Sequence, residues 1–149
     1  MLVFNEYIGP NRFQMPEERL RLINGALQLL PRPFRRMIVK GKVTEEVKES
    51  HQNIELAWFE ANDPSESPRS AEIMLVAERY FDYLEVRPYG GGLAHLALKD
   101  IVGNFVTDEN CRWLDVLLAL ESNLEEKGLL DSDFAVIVAR RKASASEHL

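Results

Sequence analysis

The chain has 149 residues, 46% hydrophobic and 28% charged, with a formal net charge of -6. That length and balance fit one packed domain and exclude a disordered chain. The acidic balance argues against nucleic acid as the main partner, and no apolar run approaches the roughly 20 residues that span a bilayer, so no membrane partner is expected.

Leu2 to Ile8 reads as a strand, ended by the turn Gly9-Pro10-Asn11. Pro16 opens a helix, with Leu20, Ile23, Leu27 and Leu30 as its apolar stripe and Pro31 and Pro33 as its stop. From about 32 to 66 the pattern is that of a variable insert. It begins with the basic positions Arg32, Arg35, Arg36, Lys40 and Lys42 and then turns acidic, with room for a helix within Thr44 to Phe59 and a loop at Asn62-Asp63-Pro64-Ser65. Ser67-Pro68 resembles a helix cap and first turn, ahead of Ile73, Val76, Ala77 and Tyr80 on one helical face. Phe81 to Arg87 reads as the next strand, and Leu93 to Val102 as a short helix after the glycine run Gly90-Gly91-Gly92.

The clearest helix starts at Thr107 or Asp108 and runs to about Lys127. Trp113, Leu117, Leu120 and Leu124 form its stripe, widened by Leu114 and Leu118, and Gly128 suits the position just past its end. Phe134 to Ala139 is apolar on both faces, as a central strand is. Residues 1–142 then form a single α/β domain with about three strands and covering helices, and 143–149 reads as a flexible tail. The lone Cys111 forms no internal disulfide, and Met-Leu-Val-Phe-Asn-Glu at the start lacks the basic, apolar pattern of a signal peptide; both point to a cytoplasmic protein.

Strand, glycine turn and helix is the outline of a dinucleotide loop, G-x-G-x-x-G. Gly90 and Gly92 fit its first two positions, but His95 stands at the third, where close helix-strand packing requires glycine. Asp108 and Glu109 lie at the distance of the ribose-binding acid, yet they open a helix instead of ending a strand. No Gly-Lys-Ser/Thr follows either. The run therefore reads as a turn that uses positive φ or close backbone approach.

The three histidines, His51, His95 and His148, have no zinc spacing, and no metal is expected. His95 is a candidate general base in a cleft. Phe34-Arg35-Arg36 reads as a solvated basic face.

Several stretches in order carry a resemblance. Leu2-Val3-Phe4-Asn5-Glu6-Tyr7-Ile8-Gly9-Pro10-Asn11-Arg12-Phe13-Gln14 resembles the fifth strand and following turn of certain class I S-adenosylmethionine-dependent methyltransferases. Arg69 to Ile73 and Phe81 to Gly91 look like their later helix and sixth strand. Lys99 to Phe105 and Gly128 to Arg140 look like their ending, with the last strand of the sheet.

The resemblance implies a partial Rossmann-like methyltransferase sheet, with strands like the fifth to the seventh and covering helices. It implies the substrate and lid side of an enzyme acting on a small molecule. The family's cofactor is S-adenosylmethionine, held mainly by a first half that nothing here matches. No cofactor is therefore expected to bind this chain alone, and the chain alone is expected to be inactive.

In the family's sheet the fifth strand pairs with the fourth and the seventh. Leu2 to Ile8 thus becomes an open edge, suited to a second copy or to a separate N-terminal half. Ligands of open α/β sheets bind at the carboxyl ends of strands. The implied substrate-binding residues are Glu6, Tyr7, Asn11, Arg12, Phe13 and Tyr89. Tyr7 or His95 is placed to orient or deprotonate a nucleophile. Arg12 is placed to hold an acidic group, or only to pair with Glu17 or Glu18. The other reading of the chain is a non-enzymatic, methyltransferase-like dimerisation or regulatory module.

Overall fold

The computed structural model describes residues 1–143; most of the expected tail, with His148, lies outside the described residues. Within the expected domain the chain gathers into two compact units. The first comprises Met1–Phe13, Glu55–Tyr89 and the chain from Ser132; the second comprises Gln14–Ile54 and Gly90–Asp131. The insert at 32–66 is thus divided between them.

The first unit is built on a three-stranded antiparallel sheet of β1 (Leu2–Tyr7), β4 (Phe81–Pro88) and β5 (Phe134–Arg141), in the order β1-β5-β4. The last strand is central, as its apolar run predicts. Ala135, Ile137 and Ala139 are fully buried on one face, and Phe4, Met74, Phe81 and Tyr83 pack against them. Small alanines on that strand leave room for the larger side chains of its neighbours. Leu2 pairs with Ala139 and Tyr7 with Phe134, so the first strand lies beside the last. Among the described residues no strand pairs with the other edge of β1, and Leu2 and Val3 stay 38% and 62% exposed.

Two helices, α2 (Leu56–Asn62) and α3 (Ile73–Glu78), complete this unit. The helix expected from Ser67-Pro68 starts later, with a 3-10 turn at Ser70–Glu72. Ser67 does not cap it: its backbone is left-handed, with φ 45°, and its carbonyl accepts the Arg12 N–H at 2.8 Å.

The second unit holds α1 (Glu17–Leu29), the hairpin β2 (Arg36–Val39) and β3 (Lys42–Val47), α4 (Ala94–Leu98) and α5 (Asp108–Glu126). Pro16 precedes α1 as its N-cap, and Ile23, Leu27 and Leu30 of the predicted stripe are buried. Leu93, Leu98, Ile101, Phe105 and Leu117 join Leu27 and Leu30 in one apolar core. Trp113, Leu114, Leu120 and Leu124 pack on it from α5, so that stripe is core, whereas Leu118 is exposed.

The helix expected within Thr44–Phe59 is corrected by this hairpin: Thr44 to Val47 is strand, and only Leu56 onward is helical. Lys40 and Gly41 turn the hairpin with positive φ at both positions, the two-residue geometry that matches strand twist. Arg35 does not sit on a solvated face either. It is buried and donates to Gln28 Oε1 at 2.8 Å and to Glu49 Oε2 at 3.0 Å. Among the described residues no helix is long and apolar enough to cross a membrane.

Candidate functional site

Both β1 and β4 run antiparallel to β5, so they run in the same direction. Their carboxyl ends, Tyr7 and Pro88, lie together opposite Phe134 and Ala135. An aromatic row crosses this end of the sheet. Tyr7 lies 4.4 Å from Phe13 and 5.4 Å from Phe134, and Tyr89 stacks on Phe134 at 5.8 Å. The Tyr89 hydroxyl donates to Asn5 Oδ1 at 2.7 Å, which ties the end of β4 to β1. Gly9 follows β1 because nothing larger fits: a Cβ there would lie 2.6 Å from Asp133 Cγ and 2.8 Å from Tyr7 Cε2.

The turn after β1 locks onto the stretch Asp63–Ser70. Arg12 and Phe13 are both left-handed, with φ 55° and 53°, a conformation that costs about 1–2 kcal/mol in a non-glycine residue. Several bonds offset that cost. The Arg12 guanidinium donates to the carbonyls of Asp63 at 3.1 Å, Pro64 at 2.8 Å and Glu66 at 2.8 Å, and it sits 5.4 Å over the Phe59 ring. Asn11 Oδ1 accepts the Ala71 N–H at 3.0 Å, and Ser70 Oγ donates to the Gly9 carbonyl at 2.9 Å.

Beside this interlock lies a cavity of about 420 Å³, lined by Glu6 and Tyr7, by Ser65–Ser70 and by Ile73 of α3. Arg69, on its wall, is paired through Nε and Nη2 with Glu72, and that hydrogen-bonded pairing holds the Glu72 carboxyl below its usual range. Four predicted residues thus meet around one place with defined roles: Glu6 and Tyr7 line the cavity, while Asn11 and Arg12 hold its wall. Phe13 and Tyr89 belong to the aromatic row.

His95 belongs to the second unit, on α4. There the glycine run forms a cradle of backbone amides, with φ 97° at Gly90 and 89° at Gly91. The cradle holds the carboxylate of Glu121. Oε1 accepts the Gly91 N–H, and Oε2 accepts the Ala94 N–H at 2.7 Å. Glu121 is almost fully buried, and a Cβ on Gly90 would lie 2.7 Å from its Oε1. The run is a turn that grips an internal anion.

Next to α4, the buried ammonium of Lys48 donates to the carbonyls of Leu96, Ala97 and Lys99 at 2.7, 3.2 and 2.8 Å and so caps the end of that helix. Burial pushes the Lys48 ammonium down to about 8. Burial and the nearby Lys48 charge push His51 down to about 4. Burial and the Lys99 charge lower His95 as well. A cleft of about 390 Å³ runs past Lys48, His51 and Lys99.

Glu121, Lys48 and the serines of the cavity wall were not visible as site residues in the sequence. Each acts on backbone groups or cavity space supplied by a distant segment, and no local motif marks them. Comparison of the chain with protein-family models, curated proteins and solved structures finds no match.

Proposed function

We propose that the chain is the substrate side of an S-adenosylmethionine-dependent methyltransferase acting on a small molecule. The observation that carries this reading is the place of the last strand. The resemblance expects the Leu2 strand beside the Phe134 strand, and β1 pairs with β5 over its whole length. With β4 on the other side, the carboxyl ends of β1 and β4 fall together, and a cavity opens at the end of β1. Transfer of a methyl group depends chiefly on positioning the acceptor. Glu6 and Tyr7 are the residues of the proposed site placed to do so.

The residues present do not fit the cofactor. The one glycine run uses its amides on Glu121, and His95 occupies the position of the third glycine. The cofactor cradle is assigned to residues outside these 149, in the same polypeptide or in a partner. On this reading the 149 residues alone are inactive.

The test is to express the chain together with the coding sequence upstream of it or beside it, and to titrate each preparation with S-adenosylhomocysteine. Binding is expected only when the added half is present, together with transfer of labelled methyl groups into a small-molecule extract. Micromolar binding by the 149 residues alone would contradict the reading. So would an added half that associates but leaves the cofactor product unbound.

The open edge of β1 favours a second reading, a methyltransferase-like module that dimerises or regulates without catalysis. Light scattering separates the two: a stable dimer lost on Val3→Lys, with no cofactor binding in any preparation, selects the second.

A further inference from the structure

The cavity at the end of β1 specifies the charge and polarity of its ligand. Its wall presents three serines, Ser65, Ser67 and Ser70, and two carboxylates, Glu6 and Glu66. The one cation on the wall, Arg69, is already neutralised by Glu72. Arg12 points its guanidinium at three carbonyls of the wall segment. Among the described residues Glu6 makes no ion pair, and the Glu66 carboxylate accepts only the Ser67 hydroxyl, at 3.0 Å. The serine protons are already given, Ser65 to Asp63 Oδ1, Ser67 to Glu66 Oε1 and Ser70 to the Gly9 carbonyl, so the space offers acceptors around a net negative lining, with Ile73 as an apolar patch. An anionic ligand meets like charge there, and a purely apolar one leaves the carboxylates and hydroxyls without new partners.

We propose that this cavity binds a small hydroxylated amine, its ammonium between Glu6 and Glu66 and its hydroxyls on the serines of residues 65–70. The volume, about 420 Å³, suits a compact ring or short chain. The proposal rests on the reading of this site as the substrate side of a methyltransferase, and it names the acceptor class as an amine. Arg12 is a positioning residue in this scheme. It holds the carbonyls of Asp63, Pro64 and Glu66, and so fixes the wall that carries the serines and Glu66.

The experiment uses three probes of one shape and three charges, glucosamine, glucose and glucuronate, titrated into the isotope-labelled 149-residue chain. Glucosamine is expected to give saturable amide shifts at Glu6, Ser67 and Ile73, with affinity at least about tenfold above glucose, and glucuronate is expected not to bind. Glu66→Gln and Glu6→Gln, both at exposed positions, are expected to remove most of the advantage of glucosamine over glucose. Equal or tighter binding of glucuronate overturns the proposal. So do glucosamine shifts that map elsewhere, or the absence of saturable shifts from any probe at tens of millimolar. None of these outcomes involves S-adenosylhomocysteine. Amine binding with no cofactor binding by any extended protein would leave the ligand class standing and remove the methyltransferase reading.

Discussion

The glycine run and the end of β1 both have the outward form of a ligand site, and they differ in what fills them. At Gly90 to Ala94 the backbone donors converge on one point, and Glu121 from α5 already occupies it. At the end of β1 the strongest local donor, Arg12, is spent on the wall, while the space beside it stays open. One place is filled from within, and the other borders an open cavity of about 420 Å³. The lesson is that a motif marks where backbone donors gather, not whether they are available. Availability depends on partners from far along the chain.

The largest expected effect comes from emptying the finished place. Glu121→Ala strands the N–H groups of Ala94, which is buried, and Gly91, which is partly buried, and should cost about 3 kcal/mol in urea unfolding. Binding of the amine probe at the cavity should be unchanged. Gly90→Ala should cost about 2 kcal/mol, from its positive φ together with the contact to Glu121. Gly128→Ala sharpens the comparison: it shares the left-handed φ but has open space around it, so about 1 kcal/mol is expected. At the open place, Arg12→Lys keeps the charge and loses the planar fork that spans three carbonyls. It should cost about 1 kcal/mol of stability, speed hydrogen exchange in 63–67, and weaken the amine probe severalfold.

The smallest effect is in acid. His51 is held at about 4 in the folded chain against an ordinary 6.5. Over that window the unfolded chain binds the proton first, so stability is intact above about 6.5 and falls as pH drops towards about 4. The imidazole is only half buried, so screening holds the loss to about 1 kcal/mol. His51→Gln should flatten that limb of the stability profile. Lys48 gives an alkaline limb that a Lys48→Met variant lacks: held at about 8 against 10.5, it makes the chain gain stability as pH rises between those values.

The parts of the fold legible in the sequence are those where one periodicity runs long. The stripes of α1 and α5 and the apolar run of β5 show in composition alone, because each buries a continuous face. The hairpin of β2 and β3 escaped, since its strands are short and its acidic positions fit an exposed helix equally well. Its turn, Lys40-Gly41, has lysine where asparagine or aspartate gives the stronger signal.

Ser67-Pro68 has the chemistry of a helix cap, but the Arg12 N–H claims the Ser67 carbonyl and delays the helix. Glu6 and Tyr7 were singled out because ligands of open α/β sheets bind at strand ends, and both line the cavity. The serines of the wall were not, because their placement depends on Arg12 reaching across about 50 residues of sequence.

The most direct test of the contrast between these two places is an amide-resolved NMR titration of the 149-residue chain with S-adenosylhomocysteine. No saturable shift is expected at Gly90, Gly91 or Ala94, because Glu121 already takes the donors of that cradle. Micromolar binding with shifts centred on those three residues would contradict that expectation and would make the glycine run a cofactor loop.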